Sequence, residues 1–240
     1  EGMRHFNELN IHETNKWDVY AKCDNIALNS CAQSFWRIYM YQQGANKHFE
    51  REAKKVWKYF EKCLKDDIKP FKYRHRALAW SCGSTYYDNS TNWLYQCWGI
   101  MTVINMDSLT GHNIVDTENR DEMMSDLADL HARTPMRTHT VGGNRHILMM
   151  FETAAKFNCD MIVMYDDIGC KGMAGCQGLL EEEFRKHPEF HIMWMPHALM
   201  DCRTVPTAEA RKVVNDYMTT VLHEEPVDPS LVDFDDSEGW

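Results

Sequence analysis

Cys170 is the residue whose surroundings point most directly to chemistry. It follows the run Met161-Ile-Val-Met-Tyr165-Asp-Asp-Ile-Gly169 and precedes Lys171-Gly172-Met-Ala-Gly175. Five apolar residues, two acids and a glycine predict a buried strand, a sharp turn and then a helix start. A cysteine in that place meets backbone N–H groups and the positive end of a helix dipole, which favours the thiolate. A thiolate is a nucleophile or a metal ligand. The competing reading is a small buried hydrophobe, because one cysteine in a turn carries little specificity. Asp166, Asp167 and Lys171 flank it and either tune a metal site or cap the following helix. His197, Asp201 and Arg203 follow another apolar run that ends at Met195. His197 is a candidate for acid–base work, with a hydrogen-bonded structural histidine as the alternative. Gly142-Gly143-Asn144-Arg145 opens a further helical stretch. A glycine-rich turn with an arginine at a helix start can hold an anion such as phosphate, or can be an ordinary turn.

Other chemistries find no support. No G-x-G-x-x-G fingerprint opens a strand–helix turn, so a nicotinamide or flavin dinucleotide is not indicated. No Walker A sequence, H-E-x-x-H or paired C-x-x-C occurs, which argues against ATP hydrolysis by this chain and against those zinc sites. The net charge is −10, and the last eighteen residues hold seven acids and no Lys or Arg, so the body is only mildly acidic. It lacks the basic field that nucleic acid would need. The nine cysteines are an odd number, and no signal peptide or long apolar run is visible. Reduced thiols in a cytoplasm therefore fit better than a disulfide framework. Sixteen Met beside nine Cys suit a low-oxygen setting, although Met is also common core filler. The chain opens at Glu1, which reads as a piece of something longer or a mature form.

These groups need elements to hold them. Residues 1–70 read as helical. Phe49, Ala53, Val56, Trp57, Phe60 and Leu64 recur at three- and four-residue intervals and predict a helix over 45–64. That aromatic stripe reads as helix packing, not as a cofactor box. Residues 23–43 predict another helix, and Pro70 closes the region. From Arg74 the texture becomes strands alternating with helices. Strands are expected at 77–81, 99–105, 161–165 and 191–195. Helices are expected at 89–97, 117–131, 144–158 and 175–186, and a last one is capped by Thr207 with Ala210, Val213, Val214, Tyr217 and Val221 facing inward. Such alternation predicts an α/β chain with a parallel sheet covered on both faces. Ligands of these sheets collect at the carboxyl edge. The turns to inspect are 82–88, 107–112, 141–145 and 166–175.

The run Asn158 to Gly175, then Leu179-Leu-Glu-Glu-Glu, then Met200-Asp201-Cys-Arg203 and Asn215-Asp-Tyr-Met, resembles the benzoyl-CoA reductase / 2-hydroxyacyl-CoA dehydratase D-component family. The resemblance covers roughly residues 74–222 and is strongest over 144–203. It implies a helical N-terminal segment followed by a Rossmann-like parallel sheet with helices on both faces. The implied divisions are residues 1–72 as interdomain helices, 73–222 as a C-terminal α/β domain, and 223–240 as an acidic tail. It further implies a 4Fe–4S iron–sulfur cluster held by three cysteines, one of which corresponds to Cys170. The other two belong to an N-terminal α/β domain that this chain lacks. Cys23 and Cys31 are not assigned as ligands, because they fall in the helical region.

The activity implied is that of a catalytic-core subunit of an ATP-dependent benzoyl-CoA reductase, in an anaerobic, cytoplasmic setting. Its expected partners are a homologous core subunit, ATP-hydrolysing activator subunits with their own iron–sulfur cluster, and an aromatic or 2-hydroxyacyl CoA thioester. No nucleic acid or membrane is expected. The alternative within the family is a 2-hydroxyacyl-CoA dehydratase, and outside it a non-catalytic scaffold subunit. A generic CoA- or nucleotide-binding module using residues 142–145 is a third reading.

Overall fold

The computed structural model describes residues 1–23, 46–81, 90–106, 114–133, 145–198 and 203–234. These fall into two compact units. One takes in residues 1–72 and 107–146, and the other 73–106 and 147–240.

The first unit is helical. Helices α1 (Gly2–Tyr20) and α2 (Lys47–Lys65) pack together. Leu9 meets Phe49 and Ala53, and Tyr20 lies edge-on to Phe60 at 5.1 Å between ring centroids. The start of α2 is fixed by Asn46, whose side chain accepts from the N–H groups of His48 and Phe49, capping donors that the helix cannot itself satisfy. Leu64, expected in the inward stripe, is exposed, and Cys63 takes the buried place beside it. The α1 interior is unusually polar. Glu13 and Lys16 form a fully buried ion pair at 2.6 Å.

The second unit holds four strands: β1 (His75–Trp80), β2 (Ile100–Asn105), β3 (Met161–Asp167) and β4 (His191–His197). Between them lie α3 (Ser90–Trp98) and, after the helical unit's α4 (Arg120–Ala132), α5 (Arg145–Lys156) and α6 (Lys171–Phe184), and α7 (Thr207–Asp216) follows β4. All pairings are parallel, in the order β2-β1-β3-β4. Every residue of β1 and β2 is buried, as near-continuous apolar strands covered on both faces should be. On one face Val163 and Met195 pack with Trp93 and Trp98 of α3 and Val214 of α7. On the other, Phe184 of α6 reaches both Phe151 of α5 and Trp194 of β4. The α/β sheet with helices on both sides is therefore as the sequence predicts.

Three expectations shift. Helix α6 begins at Lys171, four residues before the predicted start, so Gly172 and Gly175 lie inside it. Thr207 is the first helical residue of α7 and Pro206 is its cap; proline's fixed φ suits an extended cap. The backbone then widens into a π-helical turn over Tyr217–Val221, which changes the phase of the stripe and leaves Val221 facing outward; Val213 is exposed on α7 itself, ahead of that turn. The helix expected over 23–43 lies, apart from Cys23, outside the described residues.

Candidate active site at the carboxyl edge

Strand order reverses between β1 and β3, since β2 follows on one side and β4 on the other. That is the switch point at which open α/β sheets bind ligands. The turn after β3 sits there. Asp167 closes it, accepting from the Gly169 N–H through its carboxylate at 3.1 Å and from the Cys170 N–H through its carbonyl at 2.8 Å. Asp167 thus shapes its own turn and does not cap α6. Cys170 occupies the cap position with an extended backbone, and its side chain makes no capping hydrogen bond. The thiol is half-buried, at the positive end of a helix of fourteen residues.

His197 ends the neighbouring strand, in register with Asp167. Its carbonyl accepts from the Ile168 N–H at 3.1 Å, which ties the cysteine turn to β4. The His197 ring is buried and lies edge-on to Tyr165, 5.8 Å between centroids. The structure therefore brings the backbones of two sequence-selected positions, Cys170 and His197, to one edge, with the imidazole turned into the protein. Arg145 is exposed on the first turn of α5, while Gly142, Gly143 and Asn144 lie outside the described residues, as do Asp201 and the turns at 82–88 and 107–112. Arg203 is exposed.

Three other described thiols, Cys97, Cys159 and Cys176, are disfavoured as thiolates. Burial pushes Cys97 up to about 11 and Cys159 up to about 12. Cys176, two turns into α6, donates to the Met173 carbonyl at 3.3 Å. Its pKa is raised by burial first and then by charge on Cys170. No disulfide joins the described cysteines. Cys31, Cys82 and Cys202 lie outside them. Among the described residues, no group of three or more His, Cys, Asp or Glu side chains is placed to hold a metal ion. Cys170 fits a single ligand position, and the described residues do not furnish the rest of a set.

Sequence reasoning passed over His75, at the opposite edge of the sheet. It has no spacing signal, because its partners, Asp160 and Glu224, lie 85 and 149 positions away.

The second unit is an open parallel α/β sheet with a half-buried cysteine in the turn at its switch point. The 2-hydroxyglutaryl-CoA dehydratase D-component family matches residues 14–200, a span that includes all four strands, Cys170 and His197. The chain belongs to this family, which holds subunits of benzoyl-CoA reductases and 2-hydroxyacyl-CoA dehydratases. No curated protein matches the chain. Among the described residues, no helix is long and apolar enough to cross a membrane.

Proposed function

We propose that the chain is part of a catalytic-core subunit of an ATP-dependent benzoyl-CoA reductase, reducing the aromatic ring of benzoyl-CoA to a cyclic dienoyl-CoA. The observation that supports it is Cys170, half-buried at the switch point of a sheet in a chain of this family. In this reading Cys170 gives one thiolate to a 4Fe–4S cluster whose other cysteine ligands come from outside this chain segment. When bound, that group supplies single electrons at low potential. The N–H groups opening α6 favour negative charge beside the sulfur. Asp167 and the Ile168–His197 backbone bond hold the turn rigid. His197 serves in proton transfer, and Gly142 to Arg145 contact phosphates of the CoA moiety. Residues 1–72 act as interdomain helices, 73–222 as the α/β domain, and 223–240 as its tail. Partners are a homologous core subunit and ATP-hydrolysing activator subunits with their own cluster, in a cytoplasm.

A second reading, a 2-hydroxyacyl-CoA dehydratase subunit, is favoured by the description of the matching family. Anaerobic expression of the full-length subunit with its partner subunits separates the two. A cyclic dienoyl-CoA formed from benzoyl-CoA supports the reductase. An enoyl-CoA formed only from a 2-hydroxyacyl-CoA supports the dehydratase. Neither product, with iron absent, points to a scaffold subunit. Cys170→Ser should lose iron and sulfide while Cys176→Ser keeps them; unchanged iron in Cys170→Ser removes the ligand role.

A further inference from the structure

At the amino edge of the sheet, His75 stands between two carboxylates that come from distant parts of the chain. Its Nδ1 lies 2.8 Å from Asp160 Oδ2, and its Nε2 lies 2.9 Å from Glu224 Oε1. A neutral imidazole donates from one nitrogen only, whereas the imidazolium donates from both. Two ionised carboxylates at hydrogen-bond distance from both nitrogens therefore call for the charged ring.

The two partners are not equally anchored. Asp160 is fixed by backbone: its carboxylate accepts from the Arg76 N–H at 2.7 Å, and its own N–H donates to the Arg76 carbonyl at 3.0 Å. Glu224 belongs to the tail beyond α7. Arg74 lies 3.6 Å from its carboxylate and donates to the Glu225 carbonyl. His191, at the start of β4, presents its ring edge-on to His75 at 5.9 Å. The Arg76 guanidinium is turned away, to the Phe157 carbonyl and the Tyr73 hydroxyl.

The tail then runs over α3 and α7. Val227 N–H donates to the Cys97 carbonyl at 2.7 Å, and the Trp93 indole donates to the Leu231 carbonyl at 2.8 Å. Asn215 donates to the Val232 carbonyl at 3.0 Å, and Arg211 to the Phe234 carbonyl. Val227 and Phe234 remain about half exposed. Leu231 and Val232 pack against the core beside Trp93, whereas the stretch 223–228 exposes its Val227, so polar ties carry much of the attachment of that stretch.

We propose that His75 is a proton-operated clasp: as the imidazolium it bridges Asp160 and Glu224 and latches the start of the tail, residues 223–228, over the end of α3, and loss of its proton loosens that stretch above Cys97. Loss of the proton turns a lone pair toward one carboxylate. Asp160 cannot retreat, so the Glu224 side gives way. The His75 pKa is raised, first by the hydrogen bond to Asp160 against the opposing effect of burial, and then by Glu224. A raised histidine is fully charged below its ordinary value of about 6.5 and discharges as pH climbs through the folded value. The clasp is thus closed in mildly acidic solution and opens on the alkaline side.

Hydrogen–deuterium exchange of the tail in the full chain, corrected for intrinsic rates, tests this. Between about pH 6 and about pH 9 the wild type should lose about tenfold in tail protection, the equivalent of one charged hydrogen bond. Glu224→Gln and His75→Gln should each show the loosened tail at both ends, with no pH step. Glu224→Gln alters only a tail residue and serves where His75→Gln does not fold. A wild-type tail whose protection is flat across this range overturns the proposal. So does a pH step that survives in either variant.

Discussion

At the scale of single residues, the described cysteines separate by environment. Cys97 is fully buried and pushed up to about 11 by desolvation, with the Asp228 charge adding to it. Cys159 is buried and pushed up to about 12. Cys170 is half-buried, with no hydrogen bond from its side chain to the helix it caps. The thiolate is the reacting form, so an upward move of two units lowers its fraction about a hundredfold. In the native, metal-free chain at about pH 8, iodoacetamide should modify Cys170 and leave Cys97 and Cys159 intact until the protein is unfolded. Cys176 should react more slowly than Cys170, because its thiol is held as a donor to Met173. Peptide mapping by mass spectrometry reads the order directly. Native labelling of Cys97 as fast as Cys170 contradicts the environments described.

At the scale of elements, one glycine joins α3 to β2 and touches the tail. Gly99 has φ +72, a conformation that costs other residues about 1–2 kcal/mol. A Cβ there would stand 3.2 Å from Arg74 Cγ and 3.3 Å from Val227 Cγ2. Gly99→Ala should destabilise the sheet unit by about 1–3 kcal/mol, lowering the melting temperature by about 2–4 °C for each kcal/mol. In α2, Asn46→Ala removes the acceptor for two N–H groups and should cost about 1 kcal/mol by the same thermal or urea measurement. The elements themselves were legible because buried parallel strands read as apolar runs. All four strands overlap those runs: β1 starts two residues earlier, at His75, and stops at Trp80, β2 starts at Ile100, and β3 and β4 are each extended by two residues. The start of α6 was not legible, because Gly172 and Gly175 look like turn residues; in the structure both are exposed in the helix, and nothing lies within 4 Å of where a Cβ on Gly175 would stand. The inward face of α7 was misread at Val221 because periodicity assumes an unbroken α-helix and the π-helical turn at Tyr217–Val221 breaks the phase; Val213 is exposed on the regular helix ahead of that turn. The places of Cys170, in the turn after β3, and of His197, at the end of β4, were legible because each follows an apolar run. His75 was not, because only the folded chain brings Asp160 and Glu224 to it.

At the scale of the whole molecule, these charges set how the sheet unit answers to pH. The Asp160 carboxylate feels burial most strongly, which alone would raise its pKa. The hydrogen bonds from His75 and the Arg76 N–H outweigh burial, and the net shift is downward. A carboxylate lowered in the folded state stabilises above its ordinary value of about 3.9 and loses that contribution as pH falls through the folded value. His75, raised, stabilises below about 6.5 and loses its contribution as pH rises through its folded value. The two limbs leave a plateau between about pH 4 and about pH 6.5. Urea unfolding followed by tryptophan emission should place the highest midpoint of the sheet unit on that plateau, since Trp93 and Trp98 are buried within it. The alkaline limb should amount to about 1–3 kcal/mol, the range for hydrogen bonds to a charged group. His75→Gln should flatten the alkaline limb and also weaken the acid one, since Asp160 loses a donor but keeps the Arg76 N–H. Asp160→Asn should act on both limbs as well. Glu224→Gln should reduce the alkaline limb and spare the acid one, because Glu224 does not touch Asp160's backbone anchors. An alkaline limb that survives intact in both His75→Gln and Glu224→Gln would assign it to other groups and detach the tail from the pH response of the fold.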